Sequence, residues 1–395
     1  MMKGIVSVTR HSCRLRRIAV LSLVLVTVGT FFLCYSPNAN AFVVDLQARS
    51  WEHPSGIAQQ EIQNAEPAPQ SHALAQVTQT TSQAGKRKEI ATVPFWSSSF
   101  NYQGKTYPFS MVGKDPTKGS SLSFVPVFLI PIKLVLANGS VYDGTTKADA
   151  TASSPIFRFA QFNSGFTQYG DAMQRAEFWN SVSTSSPLYH VWLATPQRFP
   201  TLTLNVPADK SQMLTLRSGK VVAGVDINYL DDQFRQYITT NNISPWGLPI
   251  FLTDNVFGLD GGDCCIGGYH DAIENSSGTA IQTYIYAQYG EAGLSSTDPE
   301  LFANTDALSH EIAEWMNDPF VNNEAPAWSV PSQPQYGCSQ FLETGDPLVG
   351  VGFDVNGYRL QDEAFFSWFA RQKPSIGIGG KYTYLGSFDT FSPSC

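Results

Sequence analysis

The chain has 395 residues and carries 25 Lys and Arg against 33 Asp and Glu, which gives a net charge of -8 at neutral pH. This acidic balance, with few basic clusters, argues against a protein that binds nucleic acid. The length is sufficient for one large domain or two modest ones, and we expect a soluble globular protein.

Residues 1–41 have the pattern of a secretory signal peptide. Four arginines at residues 10–17 precede a largely apolar, uncharged run over residues 18–34, and the small-residue site Ala39-Asn40-Ala41 follows. We therefore expect cleavage after Ala41 and a secreted protein, extracellular or periplasmic. The alternative is an uncleaved anchor helix, since the run is near the lower length limit for a membrane span. No other stretch is long and apolar enough, so we expect no stable membrane insertion after cleavage.

Residues 42–92 are rich in Gln, Ala, Ser and Thr and show no periodic apolar pattern. Such a segment cannot bury much surface, and we interpret it as a low-complexity linker or a pro-segment. Its basic run, Gly85-Lys86-Arg87-Lys88, is either a processing site or a solvated charged stretch. The folded domain is expected over residues 93–395.

The folded region opens with sequence typical of strands separated by turns. A strand is predicted over residues 124–137, before the turn pair Asn138-Gly139, and its prolines Pro126 and Pro131 place it at a sheet edge or a bulge. The spacing of apolar residues predicts helices over residues 171–180 and 229–239. Further strands are predicted over residues 188–194, 202–206, 249–252 and 281–289.

The segment HEIAE, which starts at His310, lies in a helix with clear start and stop signals. Residues 304–306 supply an N-cap, and Pro319 ends the run. His310 and Glu314 are four residues apart, so they project together and can bind one metal ion. Glu311 is rotated away from them, where its carboxylate can reach water at the metal and act as general base.

This segment differs from the zinc-binding pattern H-E-x-x-H, in which both ligands are imidazoles. The second ligand position here is Glu314, and a carboxylate binds zinc but makes the metal a weaker Lewis acid. The alternative is a solvent-facing His and Glu pair on an ordinary amphipathic helix, because a five-residue match arises easily by chance.

A zinc site on this helix needs a third protein ligand from further along the chain. Glu343-Thr344-Gly345-Asp346 supplies two carboxylates in a polar turn. We predict Glu343 as the third ligand and Asp346 as the partner that fixes the tautomer of His310. The two roles can also be exchanged, and the alternative is a simple Asx-type turn before Pro347.

His270 is a second histidine that we predict to take part in the site. It follows a loop that contains Cys264-Cys265 and Gly267-Gly268, and a rigid turn there can aim the imidazole at a cleft. In that position it serves as a metal ligand or as an oxyanion donor. The alternative is a structural histidine that is hydrogen-bonded within its own loop.

The cysteines outside the expected signal peptide predict disulfides. They are Cys264, Cys265, Cys338 and Cys395. Four cysteines in an oxidising compartment suggest two bridges. Adjacent cysteines are poorly placed to pair with each other, so we expect Cys264 and Cys265 each to reach Cys338 or Cys395, in an order that the sequence leaves open.

The segments that begin at Cys264, His310 and Glu343 occur together in a recognisable order. In them the chain resembles secreted bacterial proteins with a variant HExxE zincin motif. More distantly, it is similar to the plant phosphate-induced, Exordium-like proteins, which pair a Cys-rich Gly-aromatic-His segment with a related helix. The likeness covers residues 249–346. It implies an α+β, zincin-like fold in which a mixed sheet packs on the metal-binding active-site helix.

The expected function is that of a secreted, zinc-dependent endopeptidase acting on a protein or peptide substrate. Zn²⁺ is the expected ion, although another divalent metal suits the same ligands. The alternative is a non-catalytic, wall-associated or carbohydrate-binding protein with a structural metal. Abundant Trp, Tyr and Phe favour this alternative because their rings can stack on sugars, but such residues also build cores.

Overall fold

The computed structural model describes residues 42–44, 90–261, 263–296, 298–329, 338–375 and 379–388. Its strands are β1 (Phe42–Val44), β2 (Phe95–Tyr102), β3 (Lys105–Val112), β4 (Leu122–Val125), β5 (Val127–Leu136), β6 (Val141–Asp143), β7 (Ala160–Phe162), β8 (Gly165–Thr167), β9 (His190–Leu193), β10 (Gln197–Arg198), β11 (Leu202–Val206), β12 (Ser211–Leu216), β13 (Val221–Asp226), β14 (Leu248–Asp254), β15 (Val256–Asp260), β16 (Asp263–Ile266), β17 (Gly268–Glu274), β18 (Ile281–Tyr289), β19 (Glu324–Trp328), β20 (Ser339–Phe341), β21 (Gly352–Val355) and β22 (Tyr358–Gln361). Its α-helices are α1 (Ala148–Ala152), α2 (Tyr169–Glu177), α3 (Trp179–Val182), α4 (Ile227–Thr240), α5 (Asp306–Asn317) and α6 (Phe366–Phe369).

The expected signal peptide lies outside the described residues, as does most of the expected linker with its basic run at residues 85–88. The first residues of that segment form β1, which pairs in parallel with β12. Among the described residues, no helix has the length and apolarity required to cross a membrane.

A mixed sheet of seven strands lies at the centre of the described domain. Its main path runs β10-β5-β14-β18-β17, and β6 and β11 also pair with β5. Strands β5, β14 and β18 are parallel to one another, whereas β17 runs antiparallel to β18 at the edge. A second sheet has the order β1-β12-β13-β15-β16. The fold is therefore α+β with mixed sheets, as expected.

Helices cover both faces of the central sheet, and the alternation of side chains along its strands explains why. Ile250, Leu252 and Ile285 point to the layer that contains α2 and α5. Phe251 and Tyr284, each one residue away from these, point to the layer that contains α4. Because both faces of the sheet are buried, the sequences of β14 and β18 are nearly continuous apolar runs and do not alternate between apolar and polar residues.

Most predicted elements are confirmed. The strands predicted over residues 188–194, 202–206, 249–252 and 281–289 are β9, β11, β14 and β18. The two predicted helices are α2 and α4, although the first ends at Glu177 and a short α3 follows after Phe178. Pro126 separates β4 from β5.

The placement of Pro131 at an edge or bulge is wrong, because β5 has neighbours on both sides. The carbonyl of Leu129 accepts a hydrogen bond from the amide of Phe199 on the side of β10. Pro131 lies two residues later in the same strand, so its backbone nitrogen is directed to that side as well. The ladder with β10 ends at Leu129, and the ladder with β11 begins at Ile132. The missing N–H of the proline therefore falls where the neighbouring strand is interrupted, and no ladder bond is lost.

The end of α2 is tied to the start of α6 by a buried carboxyl group. Glu177 is 7% exposed and accepts a hydrogen bond from the backbone N–H of Phe366. Burial raises the pKa of Glu177 to about 8, while this hydrogen bond acts in the opposite direction. The side chain is therefore mainly protonated at neutral pH.

This pKa predicts how stability depends on pH. The folded chain keeps the Glu177 proton up to about pH 8, whereas the unfolded chain loses it above about pH 4.5. The contribution of Glu177 to stability is therefore complete below pH 4.5 and disappears as the pH rises to about 8. Glu177→Gln keeps an acceptor for Phe366 and does not titrate. Relative to wild type, its unfolding free energy should increase by up to about 4 kcal/mol between about pH 5 and pH 8.

Urea unfolding at several pH values measures this difference. Glu300→Gln, at an exposed carboxylate, is the matched control and should follow the wild-type pH dependence. A constant difference between Glu177→Gln and wild type across this range would contradict the prediction.

Candidate metal centre

Helix α5 is confirmed where the sequence predicts it, and it is buried along its whole length. It starts after Thr305, ends before Asp318 and packs against α2, β3, β17, β18 and β22. His310, Glu311 and Glu314 are all 0% exposed. The alternative of a solvent-facing His and Glu pair is therefore wrong. Buried imidazole and carboxylate groups require hydrogen-bonding or charged partners, and the segments around the helix supply them.

Three ligand-type atoms converge beside α5. Nε2 of His310 lies 3.2 Å from Oε2 of Glu314 and 3.7 Å from Oδ1 of Asp346. Ligand atoms held tetrahedrally around zinc at its usual bond lengths are about 3.3 Å apart. The observed separations bracket that value, so this buried His, Glu and Asp group can bind a metal ion.

Gln361 orients the imidazole of His310. Its amide nitrogen donates to the carbonyl of Gly345 at 2.8 Å, so its Oε1 is left to accept from Nδ1 of His310 at 3.0 Å. This leaves the lone pair of Nε2 directed at Glu314 and Asp346. Burial lowers the pKa of His310 to about 4, against the opposing charges of Asp346 and other carboxylates, so the ring is neutral as metal binding requires.

The carboxylate of Glu314 is held by the turn that follows β20. Its Oε1 accepts from the backbone N–H groups of Gly345 at 3.0 Å and Asp346 at 3.3 Å. A Cβ atom at Gly345 would lie 2.5 Å from Nδ1 of His310, so only glycine allows the turn to approach the ring this closely. The turn predicted to supply ligands therefore does contact the helix.

Of the two carboxylates in that turn, Asp346 and not Glu343 lies in the group that can bind a metal. Asp346, predicted to fix the tautomer of His310, faces Nε2 instead and belongs to the group that can bind a metal. Glu343 is buried and close enough for its charge to raise the pKa of His310. It does not belong to either of the two groups of described residues that could hold a metal ion, the second of which contains His270.

His270 joins the same cluster from the edge strand β17. Its Nδ1 lies 3.4 Å from Oε2 of Glu311 and 3.8 Å from Oε2 of Glu314, and these three residues form the second metal-competent group. Its Nε2 lies 3.1 Å from the carbonyl oxygen of Asp318, which it can reach only as a donor. A Cβ atom at Gly268 would lie 2.8 Å from Cγ of Glu311, so the strand and the helix are in close contact.

Glu363 is a further buried acid in this region that the sequence did not indicate. The hydroxyl of Tyr169 on α2 donates to its Oε1 at 2.9 Å. Burial raises the pKa of Glu363 well above its usual value, and the charge of nearby Glu314 adds to this effect. Glu363 therefore favours its neutral form more than an exposed glutamate does.

The centre is enclosed. His270, like the three residues of the helix, is 0% exposed, and Asp346 is 5% exposed. The cleft that we expected in front of His270 is therefore closed in this structure.

The expected disulfides from Cys264 and Cys265 to distant cysteines are wrong. The two residues are bonded to each other. We had assumed the Cα separation of about 4.4–6.8 Å that is usual for disulfides. Instead, the peptide bond between them is cis and their Cα atoms are 3.1 Å apart. Cys338 is also disulfide-bonded, and Cys395 lies outside the described residues.

Comparisons with protein-family models, with curated proteins and with solved structures found no match. The candidate centre therefore depends on the geometry of this chain alone.

The orientation of His310 gives a testable prediction. Gln361→Ala removes the acceptor of Nδ1 in a buried site, so zinc affinity should fall about 10- to 100-fold. Gln361→Glu retains the acceptor for Nδ1 but loses the donor to Gly345, so it should restore only part of the affinity. Competition with a chromophoric chelator measures both values.

Gln282→Ala is the matched control for these variants. Gln282 is also a buried glutamine, and its amide donates to backbone carbonyls away from the centre. Its replacement should leave zinc affinity unchanged. Equal affinity in Gln361→Ala and wild type would show that Gln361 does not position the imidazole.

Proposed function

We propose that this chain is a secreted, zinc-dependent hydrolase of the zincin type that cleaves peptide bonds. The observation that carries the proposal is the convergence of His310, Glu314 and Asp346 on one point, with the carboxylate of Glu311 beside it. A third ligand from the turn and a non-ligating glutamate between the two helix ligands are what this chemistry requires.

The residues fit a divalent metal such as zinc. The donor set is one neutral imidazole and two carboxylates, with separations near those of a tetrahedral site. The carboxylates of Glu311, Glu314 and Asp346 lie together in a region with almost no exposure to water. A cation at the point of convergence offsets their mutual repulsion and their loss of hydration.

Each side chain has a separate task in the proposed reaction. A zinc ion bound here supplies a Lewis acid that polarises a peptide carbonyl. Glu311 accepts a proton from water and can return it to the leaving amine. Its Oε1 lies 4.0 Å from Nε2 of His310, beside the ligands, while its Oε2 contacts His270. His270 donates from Nε2 to the carbonyl of Asp318, so its Nδ1 carries a hydrogen for the Glu311 carboxylate when the ring is an imidazolium.

The position of α5 in the fold supports the same proposal. The helix packs on the central mixed sheet, next to the antiparallel edge strand β17 that carries His270. A mixed sheet packed on a metal-binding helix is the arrangement that the HExxE resemblance implies. The agreement is one of architecture, so it supports the fold more strongly than the reaction.

The second candidate is a non-catalytic protein in which the metal holds the structure together. The enclosure of the centre favours it, because structural zinc sites are closed whereas catalytic ones keep a position open. Metal content and hydrolysis, measured on the same variants, separate the two candidates.

We expect about one zinc per purified chain, and His310→Ala should abolish binding because it removes the one imidazole in the proposed ligand set. Glu314→Gln should weaken zinc binding strongly, because an amide is a poorer ligand than a carboxylate. Glu311→Gln should retain the metal, since Glu311 is assigned as base and not as ligand. Elemental analysis of the three variants, each checked for folding by circular dichroism, measures these differences.

Hydrolysis tests the catalytic part of the proposal. Wild type should cleave casein or members of a broad peptide library and stop when a chelator is added. Glu311→Gln should lose turnover by at least about 100-fold with its zinc in place. Cleavage by Glu311→Gln at the wild-type rate would rule out Glu311 as base. Firm zinc binding by a wild-type protein that cleaves nothing would favour the structural metal.

A further inference from the structure

A cavity separate from the metal centre lies between the β2–β3 hairpin, the end of α2 and α6. Its volume is about 310 Å³, near the small end of the range of about 300–1,000 Å³ for ligand pockets. Its aromatic lining residues are Trp96, Phe100, Phe109, Phe178 and Phe366. None of the residues assigned to the metal centre lines it.

Four buried polar atoms belong to side chains of this cavity. They are Nε1 of Trp96, Oε2 of Glu177, Oγ of Ser367 and Oγ of Ser375, and none has a hydrogen-bond partner among the described residues. Glu177, Ser367 and Ser375 are each more than nine-tenths buried. Buried polar atoms in native proteins are nearly always hydrogen-bonded, so four of them around one cavity indicate partners other than the described residues, such as a bound ligand.

A larger groove of about 1120 Å³ lies along the same hairpin. The cavity and the groove share Trp96, Ser98, Ser99 and Asp115 in their linings. A ligand longer than the cavity can therefore continue into the groove, past a row of serine hydroxyl groups.

The chemistry of the lining identifies the class of ligand. Glu177 is mainly uncharged at neutral pH, since burial raises its pKa to about 8, so it offers a donor as well as an acceptor. The indole N–H donates, and serine hydroxyls do both. A ligand rich in hydroxyl groups can pair with these donors and acceptors together. An ammonium ligand would instead require an ionised Glu177. Aromatic walls suit the apolar faces of a sugar ring.

We propose that this cavity binds one ring of a neutral saccharide chain and that adjacent rings lie in the groove. The site is independent of the metal centre, so it holds whether the chain is a hydrolase or a structural metalloprotein. In the hydrolase it would attach the enzyme to a polysaccharide, at a distance from the peptide that is cleaved.

Isothermal titration with hexasaccharides tests the proposal on the purified full-length mature protein. The probes are cellohexaose, xylohexaose and chitohexaose, with a casein-derived peptide as the competing class. We expect at least one hexasaccharide to bind. Trp96→Phe keeps an aromatic ring without the N–H, and Ser375→Ala removes one hydroxyl. Each should weaken binding about three- to tenfold, and the double variant more.

Trp246→Phe is the matched control, because Trp246 is 50% exposed and does not line the cavity. It should bind as wild type does. The proposal is overturned if no hexasaccharide binds the folded wild type, if the two cavity variants bind as the control does, or if the peptide is the ligand whose binding they weaken. Zinc content should be unchanged in all variants, so this result is separable from that for the metal centre.

Discussion

The hydrogen bond between Nδ1 of His310 and Oε1 of Gln361 orients the imidazole in the candidate metal centre. The amide of Gln361 also donates to Gly345, and its backbone N–H donates to Ser309 of the helix. One side chain therefore joins α5, the turn at Gly345 and strand β22. The bond places the proton of the imidazole on Nδ1, so the metal-facing lone pair is on Nε2. It also holds the turn where Asp346 faces that lone pair.

Buried carboxylates in this domain differ in their surroundings. Burial raises the pKa of Glu177 and of Glu363, and the charge of Glu314 adds to the effect on Glu363. Two backbone N–H groups donate to Oε1 of Glu314. Its Oε2 faces a neutral imidazole, which can share an ion with it but cannot neutralise it.

The sequence predicted the features of the fold and site that depend on local pattern. Period and capping predicted α5, and the four-residue spacing predicted that His310 and Glu314 face one ion. Gln361 was missed because it lies 51 residues from His310 and a lone glutamine has no pattern that marks it. Glu343 and Asp346 were both named, but only the geometry of the turn decides which faces the ring. The pairing of Cys264 with Cys265 depends on a peptide geometry that residue types do not encode.

Glu311 bears most directly on the choice between a catalytic and a structural metal. In the catalytic proposal His310, Glu314 and Asp346 hold the ion and Glu311 is the base, although Glu311 also belongs with His270 and Glu314 to a second group that could hold a metal. Burying an acid beside the ligands costs stability, and the contact of Glu311 with His270 offsets part of that cost. His270 is in turn fixed by a backbone carbonyl, so the pair is positioned with precision although neither residue is needed to complete the three-ligand set. In the proposed hydrolase, an acid and an imidazole placed in this way beside the ligands suit proton transfer, whereas the enclosure of the centre favours the structural alternative.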